Sequence, residues 1–188
     1  MSEIGYSGTK AASVVGISYR QLDYWARTDL VRPSLVDAAG SGSRRAYSYR
    51  DLLELRLIKS LLDAGVSLQT ARKAIEYLRE HLGEDLAAAS LVIDESRSVL
   101  ARTGEDIVDL VRHSTEPITL CAIGPLTNVA LALRAAPDIA TRLGALVIMG
   151  GRLGPESATG EHNFNMDPEA TAIVLASGAP IRLGTFEV

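Results

Sequence analysis

The hydrophobic pattern of this chain of 188 residues changes character near residue 114, and no single regular fold accommodates both patterns. Before that point apolar residues recur every three or four positions, as on amphipathic helices. After it, unbroken apolar runs each end at a glycine, as buried parallel strands do. Only Ser-Thr-Glu-Pro separates the two patterns, without a Gly/Ser-rich linker. The sequence therefore predicts a chimera of two unrelated folding patterns.

Local signals in the first half predict short helices and a hairpin. Thr9 and Gly16 can begin and end one helix, and Ser18 with Gln21 has the spacing of a capping box that opens a second. A three-residue turn between them is typical of a helix-turn-helix. The turn residues Gly40-Ser41-Gly42 predict a small two-stranded wing, after which Ser48 and Ser67 open two further helices. A hairpin over residues 90–103 and a short helix over residues 105–112 should follow.

The second helix carries the chemistry of this half. At 100° per residue, Leu22, Trp25 and Ala26 share one arc and should be buried. The opposite arc carries Arg20, Asp23, Tyr24 and Arg27. Arginine can bind guanine in the major groove, and tyrosine can bind phosphate or contact a thymine methyl. Residues 1–60 hold nine Lys and Arg against six Asp and Glu, which favours an anionic partner, although a solvated surface is the simpler alternative.

The order of helix, turn, YRQLDYWARTDLVRPS, wing and RAYSYRDL resembles the winged-helix DNA-binding domain of MerR-type transcription regulators. The resemblance begins near Gly5, is strong to about Leu82 and ends near His113. It implies that the second helix enters the major groove and that the wing grips the flanking backbone. The residues it places at DNA are Tyr19, Arg20, Tyr24, Arg27, Arg44, Arg45 and Tyr47. Trp25 and Tyr47 have packing as an equally good alternative.

The same resemblance implies duplex DNA, RNA polymerase at a promoter and a second copy of the chain as partners. Some members of the family sense metals through cysteines, but Cys121 stands alone beyond the matching region. A single cysteine also excludes a disulfide framework and a cysteine-based zinc site. The chain has no apolar run of about 18 residues, so we expect no membrane partner and a cytoplasmic location.

The second half predicts three strands with intervening helices. Ile118–Ile123, Ala145–Met149 and Ile181–Thr185 are the apolar runs, and Asp167 followed by Pro168 begins a helix between the last two. Strands that alternate with helices form parallel sheets. We therefore expect an α-helical winged helix-turn-helix domain followed by a partial α/β segment with a parallel, Rossmann-like sheet.

The blocks ITLCAIGPLTNVALAL, LVIMGG and EHNFNMDPEA resemble the central part of the inosine–uridine-preferring nucleoside hydrolases. In that family a calcium ion holds the ribose and activates the attacking water. The resemblance implies that the Thr127 carbonyl binds calcium and that Met149, Glu161 and Asn163 line the ribose pocket. Without it, Glu161 and Asn163 are polar loop residues, and Asp167 is sufficiently explained as a helix cap.

The family's aspartate cluster of the type DTDxxxDD and its late His-Asp pair are not found in this sequence. Calcium takes six to eight oxygen ligands, which one carbonyl cannot supply. We therefore expect no catalytic residues and no cofactor, with calcium only if the segment were completed. We expect the binding residues of this half to be vestigial.

These observations predict a MerR-like DNA-binding regulator with a non-catalytic nucleoside-hydrolase-like fragment. The predicted division is a DNA-binding domain over 1–82, a regulator-like hairpin and helix over 83–113, and the hydrolase-like segment over 114–188. The alternative is a protein that binds ribonucleosides or hydrolyses them with calcium.

Overall fold

A computed structural model describes most of the chain, namely residues 5–37, 44–81, 90–94, 97–152 and 160–185. The chain divides into two compact units, Met1–Lys59 and Ser60–Glu187. The first is largely helical, and the second is built on a five-stranded mixed sheet. Within the described residues, no helix is long and apolar enough to cross a lipid bilayer.

The first unit contains three helices and a small two-stranded sheet. Its elements are β1 (Tyr6–Ser7), α1 (Gly8–Val15), α2 (Tyr19–Arg27), β2 (Ala46–Tyr47) and the first part of α3 (Tyr49–Asp63). The two strands are antiparallel, with Tyr6 opposite Tyr47. The core is formed by the side chains of Val15, Leu22, Trp25, Leu30, Leu55 and Ile58, all of which are buried.

Local capping fixes the helices of this unit. The hydroxyl of Ser7, and not that of Thr9, accepts the Lys10 N–H at 3.3 Å, so α1 begins two residues earlier than expected. Gly16 ends α1 with φ of 77°, a left-handed conformation that favours glycine. At α2 the capping box of Ser18 forms as predicted, with reciprocal bonds of 3.2 and 2.9 Å to Gln21.

The second unit contains a sheet of five strands, and two of its helices precede the central strands. Its elements are the end of α3, α4 (Leu68–Glu80), β3 (Ser90–Asp94), β4 (Arg97–Ala101), α5 (Gly104–His113), β5 (Ile118–Ala122), α6 (Thr127–Ala135), a 3-10 turn (Pro137–Thr141), β6 (Leu143–Met149), α7 (His162–Met166), α8 (Pro168–Leu175) and β7 (Ile181–Gly184). The strand order is β4-β3-β5-β6-β7. The β5–β6 and β6–β7 pairs are parallel, as expected for these three apolar runs.

The hairpin β3–β4 makes the sheet mixed, which corrects the expectation of a parallel sheet. Strand β3 pairs antiparallel with β5, with Leu91 opposite Cys121. Helix α5 is also part of this unit, because its Ile107 and Val111 belong to the same buried cluster as Leu120. Residues 90–113 thus belong structurally to the α/β unit and not to a separate segment. In the sequence, the boundary between the two units falls between residues 59 and 60. The reason is that β5 offers an edge for strand pairing, and an unpaired edge is unfavourable.

Both faces of the sheet are buried at its central strands, whereas the edge strand β7 exposes Arg182 and Leu183. On one face, residues such as Leu120 and Leu146 share the cluster with α5, α6 and α8. On the other, Leu91, Cys121 and Val147 are buried, and α4 packs against β4. Burial raises the pKa of the Cys121 thiol to about 12. The central strands β5 and β6 therefore read as nearly continuous apolar sequence, because neither of their faces meets water.

Candidate DNA-binding and nucleoside-binding sites

Helix α2 separates a buried face from a polar one. Leu22, Trp25 and Ala26 are buried, which confirms packing as the role of Trp25. Tyr24, on the opposite side, is 54% exposed, and Tyr19, at the edge of the buried arc, is 55% exposed. We call the exposed set the α2 face, formed by Tyr19, Arg20, Tyr24 and Arg27. Four of the seven predicted DNA contacts thus lie together on one solvent-exposed surface.

The α2 face contains an acidic residue between its arginines. The Asp23 carboxylate pairs through Oδ2 with Arg27 Nε at 2.9 Å and through Oδ1 with Arg45 Nη1 at 2.7 Å. The hydrogen bond from Arg45 lowers the pKa of Asp23 below its usual value. The Arg27 side chain is 72% exposed, whereas that of Arg45 is only 14% exposed. Arg45 is therefore anchored to α2, which corrects its assignment as a free phosphate contact.

Tyr47 is not available to DNA. Its side chain is fully buried in β2, and burial raises the pKa of its hydroxyl to about 12. Among the described residues, nothing hydrogen-bonds that hydroxyl. The packing alternative is thus the correct one, because β2 pairs with β1 and turns Tyr47 inward. Arg44, one residue before Arg45, is exposed as expected.

An antiparallel bridge joins Val36 and Ala46, which bound the part of the chain here called the wing segment (residues 36–46). Val36 and Ala46 exchange backbone hydrogen bonds of 3.2 and 2.9 Å. The predicted turn at Gly40-Ser41-Gly42 lies outside the described residues. The bridge places Arg44 and Arg45 on the returning arm.

A buried carboxylate binds residues on both sides of the wing segment. Asp51 is 6% exposed, and its Oδ2 accepts the backbone N–H groups of Ser34 and Ser48, both at 2.8 Å. The Ser34 hydroxyl oxygen lies 2.9 Å from the same atom. The Ser48–Asp51 spacing predicted a helix start, but nothing local signals the link to Ser34. The contacts of Asp23 with Arg45 and of Asp51 with Ser34 are the ones that sequence reasoning did not find.

A second polar cluster lies where the parallel strands β5 and β6 end. The Asn163 side-chain amide donates to the Met149 carbonyl at 2.8 Å and to the Ile123 carbonyl at 3.4 Å. The carboxyl ends of parallel strands are where α/β proteins bind ligands. The structure therefore brings Met149 and Asn163 together as the resemblance implied.

Glu161 caps helix α7 from the same edge. Its carboxylate accepts the N–H groups of Asn163, Phe164 and Gly151 at 3.0, 3.1 and 3.2 Å. Gly150 lies so close that an added Cβ would be 2.6 Å from the Phe164 ring. The carboxylate of Glu161 is thus engaged with backbone donors, which orders the loop but occupies its oxygens.

Thr127 and Asp167 form a separate pair beside this cluster. The Thr127 hydroxyl donates to Asp167 Oδ2 at 2.6 Å, and Asp167 Oδ1 accepts the Ala170 N–H at 3.0 Å. These bonds, the first above all, lower the pKa of Asp167. Thr127 is the first residue of α6, where a backbone carbonyl enters the helical hydrogen-bond ladder. The Thr127 side chain thus links the start of α6 to Asp167, the residue that caps α8.

The described residues do not fit a calcium ion. They contain no group of three or more His, Cys, Asp and Glu side chains placed to hold a metal. The acids nearest to Thr127 and Asn163 are Asp167 and Glu161, which already accept hydrogen bonds from the chain itself. Because calcium takes six to eight oxygens, this edge can position a polar ligand but cannot by itself hold the ion.

Two families match the chain. The model of the inosine-uridine preferring nucleoside hydrolase family matches residues 56–188, and that of the MerR HTH family regulatory proteins matches residues 6–78. The first match starts well before residue 114 and within one helical turn of the boundary between the two units. Residues 56–78 are common to both.

Relatives divide in the same way. An uncharacterized HTH-type transcriptional regulator of Mycobacterium tuberculosis is 48% identical over 109 residues, which are 58% of this chain and 48% of the relative. The non-specific ribonucleoside hydrolase RihC of Klebsiella pneumoniae is 39% identical over 130 residues, 68% of this chain and 42% of the enzyme. The chain thus spans less than half the length of these curated relatives.

A crystal structure of an inosine-uridine preferring nucleoside hydrolase from Bacillus anthracis aligns with 35% identity and a TM-score of 0.39, over 43% of this chain and 29% of that one. A MerR family regulator from Bacillus cereus aligns with 26% identity and a TM-score of 0.34, over 43% and 63%. Because its model covers more than half of the residues, the chain belongs to the inosine-uridine preferring nucleoside hydrolase family, and its residues 6–78 match the MerR HTH family.

Proposed function

We propose that this protein is a DNA-binding transcription regulator that reads duplex DNA with the α2 face. The observation that carries the proposal is the solvent-exposed set of two arginines and two tyrosines on a helix whose other side is buried. The match to the MerR family over residues 6–78 and the regulator among the relatives support it. In this proposal the first unit acts as a winged helix-turn-helix, with the wing segment beside the DNA.

The roles of the residues follow from their exposure and charge. Arg20 reads a base edge, because an exposed arginine on the polar side of a recognition helix can bind guanine with two hydrogen bonds. Tyr19 and Tyr24 contact phosphate or thymine methyl groups. Arg44 contacts backbone phosphate from the wing segment. The remaining partners in the proposal are RNA polymerase at the promoter and a second copy of the chain. With two copies, the complex contacts two half-sites of the DNA instead of one.

The test starts by enriching bound sequences from a random duplex pool with the full chain. Fluorescence anisotropy then gives Kd for the enriched duplex and for a scrambled one. Arg20→Ala should cost roughly 1–3 kcal/mol on the enriched duplex and relax the preference at one position. Arg32→Ala is the matched control, because Arg32 is 63% exposed but lies outside the α2 face. Unchanged affinity in the Arg20→Ala/Arg27→Ala double variant would reject the proposal.

A nucleoside-binding function is the second candidate. It rests on the Asn163 amide, which bridges the carbonyls of Ile123 and Met149 at the ligand-binding edge of the sheet. Calorimetric titration with inosine and with uridine, with and without calcium, tests it. A saturable isotherm that disappears in Asn163→Ala and persists in Asn128→Ala would establish the site, whereas the absence of heat with either nucleoside would exclude it.

A further inference from the structure

A carboxylate lies in the middle of the surface that we assign to DNA. Asp23 is on α2, its side chain is 27% exposed, and its two oxygens bind two different arginines. One of these, Arg27, belongs to the α2 face, and the other, Arg45, comes from the wing segment. An acidic group at such a place opposes phosphate binding. Its presence there therefore calls for a function.

The two arginines are held very differently. Arg45 is nearly enclosed, and its Nε lies 3.6 Å from the Asp37 carboxylate, beyond hydrogen-bond distance. Asp23 is thus its hydrogen-bonded anchor among the described residues, at 2.7 Å. Arg27 is mostly exposed, and its pair with Asp23 lies on the helix surface at spacing i, i+4. Such an exposed pair is weak, so Arg27 can leave it for another anion.

We propose that Asp23 is a positioning residue of the DNA-binding surface: its carboxylate ties the wing segment to α2 through Arg45 and competes with DNA phosphate for Arg27. This inference rests on the proposed DNA-binding function. In free protein both arginines bind Asp23. When duplex DNA arrives, Arg27 exchanges the carboxylate for a phosphate, while Arg45 stays in place.

The exchange has a consequence for selectivity. Binding of Arg27 to phosphate first requires loss of its pair with Asp23, and the carboxylate then remains close to the DNA backbone. Both effects weaken binding to every sequence alike, because phosphate contacts carry no sequence information. Contacts from Arg20 to base edges are not opposed in this way. Asp23 thus lowers the affinity for every duplex by a similar factor and leaves base contacts, such as those of Arg20, as the source of selectivity.

The experiment measures Kd of the full chain for a random-sequence 30-base-pair duplex across a salt series. Asp23→Asn keeps the side-chain size and an oxygen that can accept from Arg45, but it removes the charge. We expect its affinity to rise roughly three- to tenfold at about 50 mM salt, because Arg27 no longer has to leave a carboxylate before it binds phosphate. The slope of log K against log salt should stay nearly the same, because Arg27 contacts phosphate in both complexes. A purely structural role would instead lower both thermal stability and affinity.

Asp29→Asn is the matched control, because Asp29 pairs with Arg32 outside the α2 face. Asp29 has φ of 60°, a conformation that asparagine tolerates, so this change removes the same charge without strain. If Asp29→Asn raises affinity as much as Asp23→Asn does, net charge alone explains the effect and the inference is wrong.

A double-mutant cycle tests the route through Arg27. Arg27→Ala should abolish most of the gain from Asp23→Asn, since no arginine is then left to release. Persistence of the full gain in the Arg27→Ala background would overturn the competition. Wild-type chain that binds no duplex at any salt would reject the proposed function, whereas binding that Asp23→Asn leaves unchanged would reject this inference alone.

Discussion

The α2 face and the edge of the parallel strands both collect polar side chains, but they use them in opposite ways. On the α2 face, Arg20, Tyr24 and Arg27 extend into solvent, and the packing that holds them lies beneath the helix. At the strand edge, Glu161 and Asn163 turn inward and bond to backbone groups of their own unit. One surface offers its groups to a partner, and the other uses them to order its loops.

The difference shows what each surface requires in order to act. A DNA-reading helix needs a rigid base and exposed side chains, and α2 combines a buried side with the exposed Arg20 and Tyr24. A calcium-assisted hydrolytic site needs several carboxylates free for the metal, and the acids described at the strand edge are already engaged. Among the described residues, the first surface thus keeps its polar side chains exposed, whereas the carboxylates of the second bond to groups of their own unit.

The largest expected effect is on hydrolysis. We expect this chain to show no calcium-dependent release of nitrophenol from a nitrophenyl riboside, with inosine and uridine as natural substrates. Loss of a general base alone costs about 10²–10⁴ in rate, and loss of the metal adds the cost of an unactivated water. A spectrophotometric assay at millimolar calcium measures it. Calcium-dependent turnover that disappears in Asn163→Ala would break the comparison.

The rigid base of the first surface is tested by Asp51→Ala. The change leaves the N–H groups of Ser34 and Ser48 without their shared acceptor, so we expect a loss of roughly 2–4 kcal/mol in the free energy of unfolding. Fluorescence of the single tryptophan, Trp25, follows denaturant unfolding of this unit. The exposed Asp63→Ala on the same helix should change stability far less. Equal effects in both variants would contradict the prediction.

Glu161→Gln tests whether the polar side chains at the strand edge order their own loops through hydrogen bonds to the backbone. Replacing one carboxylate oxygen by an amide removes an acceptor from Gly151 or Phe164, and we expect about 1–2 kcal/mol less protection of these N–H groups. Hydrogen exchange measured by NMR reports it residue by residue. Glu169→Gln, in the exposed first turn of α8, is the control. Unaltered protection would mean that Glu161 is free to serve a ligand.

Arg44 and Arg45 sharpen the comparison within the first unit. Arg44→Ala should reduce the salt slope of duplex binding by about 0.9, because an exposed cation that contacts phosphate is lost. Arg45→Ala should mainly lower the melting temperature, since Arg45 is anchored on Asp23. Anisotropy titrations and thermal unfolding separate the two. If Arg45→Ala reduces the slope and leaves stability intact, Arg45 is a DNA contact after all.

The smallest effect concerns Asp167. Because its folded-state pKa is lowered, its stabilisation is present at neutral pH and is lost as pH falls through that pKa. Thr127→Val removes the largest cause, so the pKa of Asp167 should rise toward its ordinary value, and the stability lost on acidification should be smaller and fully lost at a higher pH. Carboxyl chemical shifts in an NMR titration show this directly. Thr141→Val, remote from Asp167 in the chain, should leave the titration unchanged.

Local features were predictable from the sequence because their causes lie within a few residues. The capping box at Ser18, the two-sided character of α2 and the three parallel strands all follow from spacing alone. The first helix was misplaced by two residues because Ser7 caps it in place of Thr9, although both residue types favour that position.

Distant partners were not predictable. Arg45 and Asp23 are 22 residues apart, and nothing local tells an anchored arginine from a free one. The hairpin β3–β4 has the same local pattern whether it stands alone or joins a sheet, so its pairing with β5 is visible only in three dimensions. Asn163 likewise bonds to carbonyls 14 and 40 residues away. Function at both sites depends on these long-range contacts.

The α/β unit buries the single thiol of the chain, so the reactivity of that thiol reports how often the unit opens. Cys121 lies on the central strand β5, fully buried, with its pKa raised to about 12, so the closed unit presents almost no thiolate to an alkylating reagent. Labelling can proceed only during moments when β5 separates from its neighbours. The rate at which iodoacetamide marks the protein therefore counts those openings without any engineered probe.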